Sequence, residues 1–190
     1  NINSTRAVRY LKIAQSELVT NLRKLQSDDL HARELYPGIG AQYHILKIDF
    51  SKPKQYTLQA IANLSSASPR LVEIETIQLP QNIQFAPPNV LPAPLSGVYI
   101  DRPGSLTDQT PASCALVAFR APFAKIIANE DCVFNNFTND DYREMIDLIN
   151  NDSLPDKPSS DSIISLRLQD SKGQNFKTVT INGVSGLITF

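Results

Sequence analysis

Histidine, cysteine and clustered carboxylates are the residues through which a chain of this size would do chemistry, and here they are sparse. The two histidines, His31 and His44, stand in no HxH, HExxH or HxxxH spacing and at no zinc spacing from a cysteine, so the sequence points to no zinc centre. A lone histidine in an alternating stretch such as the one around His44 reads as a packed or half-exposed side chain. No GxSxG elbow, GxxxxGK[ST] loop or GxGxxG turn occurs, and seven glycines spread over 190 residues build no phosphate cradle. Glu130-Asp131 and Asp140-Asp141 offer oxygen ligands of the kind Ca²⁺ takes, but no Dx[DN]x[DN]G loop accompanies them. They read better as carboxylates at a helix start. No acid, base and nucleophile grouping can be named, and the expectation is a protein without catalytic residues or cofactor.

Cys114 and Cys132 are separated by 17 residues. A disulfide closing such a loop is worth about 3 kcal/mol in the chain-entropy model; two buried thiols are the alternative. The 13 prolines, the low charge and the abundant Ser, Thr and Asn favour the bond. Sequons at Asn3, Asn63, Asn136 and Asn151 agree with an outside location without establishing one.

The elements that would position these residues begin with one long run. Over residues 3–35, Val8, Leu11, Leu18, Leu22 and Leu25 recur at helical spacing, with Ala14-Gln15 filling the gap. They form one stripe. The opposite face carries Arg6, Arg9, Lys12, Glu17, Arg23, Lys24 and Asp28, and the first Pro-Gly pair is Pro37-Gly38. About nine turns is long for a globular domain. After Gly40 the pattern becomes strand-like. Residues 42–50 and 55–64 form a hairpin around Ser51-Lys52-Pro53-Lys54, with Tyr56, Leu58, Ala60 and Ala62 on one face, and residues 71–79 add a third strand. Residues 80–103 hold six prolines and read as loop and edge, with short strands at 83–85 and 98–100. Further strands are expected at 115–119, 123–127, 162–168, 176–181 and 187–190. A short second helix is expected over 138–150, where Tyr142, Met145, Ile146 and Ile149 share a face.

Hydrophobic residues make up 42% and charged residues 19% of the chain, so it can bury a core. A net charge of -1 argues against an electrostatic nucleic-acid binder. The longest apolar run, residues 114–119, is far short of the roughly 20 residues a spanning helix needs.

Three passages carry a resemblance. They are the leading helix with Leu18-Val19-Thr20-Asn21-Leu22-Arg23, the step from Tyr36-Pro37-Gly38-Ile39-Gly40 into Ile48-Asp49-Phe50 and Tyr56-Thr57-Leu58, and the ending Lys177-Thr178-Val179-Thr180-Ile181-Asn182-Gly183-Val184. Together they resemble the periplasmic part of a type IV pilin-like protein, a minor pilin or pseudopilin of the GspH/FimT kind. The resemblance covers about the first third and the last seventh of the chain. It implies an α+β fold, with residues 1–35 as the second half of a spine helix. That helix would lie on an antiparallel sheet in a head of residues 36–190, which carries a Pro-rich variable insertion at about 80–160. It implies that Val8, Leu11, Leu18, Leu22 and Leu25 are the sheet-facing surface. It also implies a structural subunit of a type IV pilus or type II secretion filament. Its partners would be other pilin subunits, and an N-terminal segment not in this sequence would anchor it in the inner membrane before assembly at the cell surface. Family members that take up DNA carry basic residues in the closing strand. Here Gly186-Leu187-Ile188-Thr189-Phe190 has none, so nucleic-acid binding is not expected. A secreted or surface-anchored binding or adhesion module is the alternative.

Overall fold

The structure, a computed structural model, describes residues 2–31, 34–36, 39–62, 70–86, 98–101, 114–120, 123–129, 163–182 and 185–190. In chain order these form α1 (Ile2–Leu30), β1 (Glu34–Tyr36), β2 (Ile39–Asp49), β3 (Gln55–Ala62), β4 (Arg70–Gln78), β5 (Ile83–Phe85), β6 (Val98–Asp101), β7 (Cys114–Arg120), β8 (Phe123–Asn129), β9 (Ile163–Asp170), β10 (Phe176–Asn182) and β11 (Ile188–Thr189). The fold is α+β: one N-terminal helix packed on antiparallel sheets. The expected second helix over 138–150, Cys132 and the Asp140-Asp141 pair all lie outside the described residues.

The helix follows its apolar spacing. Leu11, Ala14, Leu18, Val19, Leu22 and Leu25 are buried, with Gln15 among them. Each buried leucine contributes about 1.5–3 kcal/mol of transfer free energy. Two expectations need correction. The helix stops at Leu30 rather than near residue 35, because Glu34–Tyr36 is a strand paired antiparallel with β2 (Glu34 opposite Gly40, Tyr36 opposite Ile39). Tyr36 precedes Pro37, whose ring disfavours helical backbone in the residue before it. Ser27 closes the last helical turn, its carbonyl accepting from His31 N at 3.1 Å. The second correction is Val8, which is 36% exposed. It continues the stripe by spacing, but residues 5–10 are exposed or half-exposed on every side, and the buried core begins at Leu11.

The strands make two sheets rather than one. The first runs β4-β3-β2-β7-β8, with β1 added to β2; the second runs β11-β10-β9-β5, with β6 added to β9. The β2–β3 hairpin turns as expected. Asp49 Oδ1 accepts from Ser51 N at 2.9 Å and Ser51 Oγ at 2.6 Å, and Lys52 N donates to Asp49 O at 2.9 Å. A register shift between Leu58 and Gln59 interrupts β3 against β4. Tyr56, Leu58 and Ala60, expected on one face, are buried, and so are Gln59 and Ile61. On β2 both faces are buried, Leu46 and Ile48 toward the helix and Tyr43, Ile45 and Lys47 away from it.

One core joins the three layers. Helix leucines meet Leu46, Ile48, Tyr56 and Leu58 of the first sheet and Leu166, Leu168, Val179 and Ile181 of the second. Tyr56 and Phe85 meet edge to face at 6.1 Å across the sheets, a favoured aromatic geometry. Phe85 N also donates to Pro53 O at 2.8 Å, tying β5 to the hairpin turn.

Candidate assembly surface along the leading helix

The helix is held by its polar side chains as well as its leucines. Gln15 Nε2 donates to the Thr178 carbonyl of β10 at 2.8 Å. Asn21 Nδ2 donates to the Tyr56 hydroxyl on β3 at 2.8 Å. Gln26 Nε2 donates to the Gly186 carbonyl, in the turn before β11, at 3.1 Å. Gly186 holds φ of 65°, where a side chain would be strained, so the turn that presents this carbonyl depends on glycine. The tethers thus reach both sheets from one helix. Arg23 lies over the Phe190 ring at 5.9 Å, a cation–π contact beside β11.

Burial pushes the Tyr56 hydroxyl well above the usual phenol range; the hydrogen bond from Asn21 opposes this, and the charges of Glu17 and Glu75 reinforce it. Tyr56 is therefore a neutral tether at any physiological pH.

Beside this seam runs an open groove of about 670 Å³ between the exposed flank of α1 and β4. Arg9, Lys12, Ile13 and Glu17 form one wall, and Glu75 and Ile77 the other. Ile13 is 45% and Tyr10 37% exposed. In the first sheet β4 is the terminal strand of the described order.

Among the described residues the chemistry-bearing side chains do not converge. His31 is exposed and bonded to its own helix, its Nδ1 2.7 Å from Ser27 O. His44 is 1% exposed, and its Nδ1 lies 3.5 Å from Asp29 Oδ1, within ion-pair reach but making no hydrogen bond. The pair adds to the Asn21–Tyr56 bond a second polar contact between α1 and the first sheet. Asp170 closes the β9–β10 turn, its carboxylate accepting from Lys172 N, Gln174 N, Asn175 N and Asn175 Nδ2 at 2.6–3.2 Å. Burial alone would raise its pKa, but these bonds, led by that from the Asn175 side chain, bring it below the usual carboxylate value. Lys47 is displaced downward, chiefly by burial. No group of three His, Cys, Asp or Glu side chains among the described residues could hold a metal. No helix among them is long and apolar enough to cross a membrane.

Of the residues expected to form the helix–sheet surface, Leu11, Leu18, Leu22 and Leu25 are in the core and Val8 is not. Cys114 opens β7, opposite Asp49 and Asn129. Sequence reading missed the tethers. Gln15 gave the only sign, a polar residue inside an apolar stripe. Asn21, Gln26 and Asp29 look like any solvated helix residue until their partners, more than a hundred positions away for Gln15 and Gln26, are in place. No protein-family model, curated protein or solved structure matches the chain.

Proposed function

We propose that the chain is a structural subunit, of minor pilin or pseudopilin kind, of a type IV pilus or type II secretion filament. It acts by assembly and surface interaction, with no catalysis and no cofactor. The observation that carries this reading is the division of α1. Its residues from Leu11 on are fixed to both sheets by leucines and polar tethers, while residues 5–10 are exposed or half-exposed and lie outside the buried core. A helix held so firmly along one length passes force applied to its free end into the whole domain. An uncovered end bearing Val8 and Tyr10 offers apolar surface to neighbouring subunits. The partners are other pilin subunits, like or unlike, and the site of action is the cell surface after anchorage in the inner membrane through a preceding segment.

The test is to tag the chain in filament-forming cells, shear the filaments and probe them by immunogold labelling and mass spectrometry. Recovery of the chain in the filament fraction is expected. Its absence from filaments that otherwise form normally overturns the reading. One observation favours the alternative, a surface binding or adhesion module: Leu187 and Phe190 are 62% and 71% exposed beside Arg23. Removing residues 1–10 separates the two, since a filament subunit would keep its fold and lose incorporation, whereas a binding module would keep both fold and binding.

A further inference from the structure

The outward flank of α1 carries opposite charges placed symmetrically about Ile13. Arg9 and Glu17 lie four residues either side of Ile13, Tyr10 and Ser16 three either side, and Arg6 and Thr20 seven either side. All seven are solvent-exposed, and at these spacings they share one side of a helix. Among the described residues no salt bridge within 4 Å engages Arg9, Lys12, Glu17 or Glu75, and all four line the same open groove.

We propose that this flank is a self-complementary interface between two copies of the chain, with the two α1 helices antiparallel and crossing at Ile13. A two-fold axis there sets Arg9 of each copy against Glu17 of the other, so the contact is isologous and made twice. Tyr10 meets the small Ser16, and Ile13 meets itself. Glu75 across the groove supplies a second carboxylate to the incoming Arg9. Parallel in-register packing is disfavoured because it would stack Arg9 on Arg9 and Glu17 on Glu17. The inference does not depend on the filament reading, and it places a soluble dimer in competition with any other use of the same helix flank.

Sedimentation equilibrium of the full chain, from about 1 μM to about 1 mM, tests it. A monomer–dimer equilibrium is expected, weaker at about 1 M than at about 0.05 M salt because the charge pairs lie at an exposed rim. Arg9→Glu and Glu17→Arg should each raise the dimer Kd about tenfold, and the double reversal should restore it to within about threefold. Under mild oxidation Ile13→Cys should give a covalent homodimer much faster than Thr20→Cys, because only position 13 meets itself; the unsubstituted chain, with Cys114 and Cys132, is the control. Circular dichroism verifies that each variant is folded. A monomer at every concentration, a double reversal no better than the singles, or equal cross-linking at positions 13 and 20 would each overturn the proposal.

Discussion

The two lengths of α1 make the sharpest contrast in the molecule. From Leu11 to Leu25 the core-facing apolar positions, Leu11, Ala14, Leu18, Val19, Leu22 and Leu25, are buried to 3% exposure or less, whereas Val8, one turn earlier on the same stripe, is 36% exposed. Helical spacing is continuous across the boundary, and what changes is the layer underneath. Periodicity says which side of a helix is apolar; only the tertiary structure says how far along it that side is covered. One helix can therefore serve as core in one part and as free surface in another.

Truncating the core length should have the largest effect. Leu22→Ala should cost about 2–5 kcal/mol, the range for buried leucines, read as a lowered urea midpoint. If it costs less than about 1 kcal/mol, the covered length is not core and the contrast fails.

Asp170→Ala comes next, at about 2 kcal/mol, since it removes a buried carboxylate that accepts four part-buried hydrogen bonds across the turn. Because the folded-state pKa of Asp170 lies below its unfolded value, its contribution is present above the unfolded value, about 3.9. It is lost as pH falls through the lower folded value. Wild type should therefore lose this increment on acidification while Asp170→Ala lacks it throughout, which urea midpoints measured between about pH 6 and pH 2 would reveal. The turn it closes sets β10, where Gln15 is tethered, so the acid loss belongs to the covered length alone.

Asn21→Ala should cost about 1 kcal/mol by removing the donor to Tyr56. A double-mutant cycle with Tyr56→Phe should show most of that cost to be shared between the two. Val8→Ala should be smallest, within about 0.5 kcal/mol. Amide exchange should draw the same boundary, with residues 2–10 exchanging near the free-helix rate and residues 14–25 protected.

How much of this was legible beforehand varied with the range of the interaction. The β2–β3 and β9–β10 hairpins and the leucine stripe rest on local patterning, and their elements stand within a few residues of where spacing put them. The end of α1 was overrun because helical propensity in residues 31–35 is not visibly poor, and the competing ladder to β2 lies beyond Pro37-Gly38. The split into two sheets depends on β2 pairing with β7 and β5 with β9, across 65 or more positions, for which no local signal exists. Burial of Tyr43, Ile45 and Lys47 behind β2 contradicts simple alternation for the same reason, since both faces of that strand are covered.

The register shift at Leu58–Gln59 sets Glu75 opposite Leu58 and Glu73 opposite Gln59, leaving Ile74 39% exposed between two carboxylates on the terminal strand. Two such strands meeting rim to rim would bring four glutamates together before any ladder bond could form. Like charge there acts as a guard against fibre growth. A Glu73→Val, Glu75→Val chain would keep its fold yet acquire a sticky, strand-templating margin.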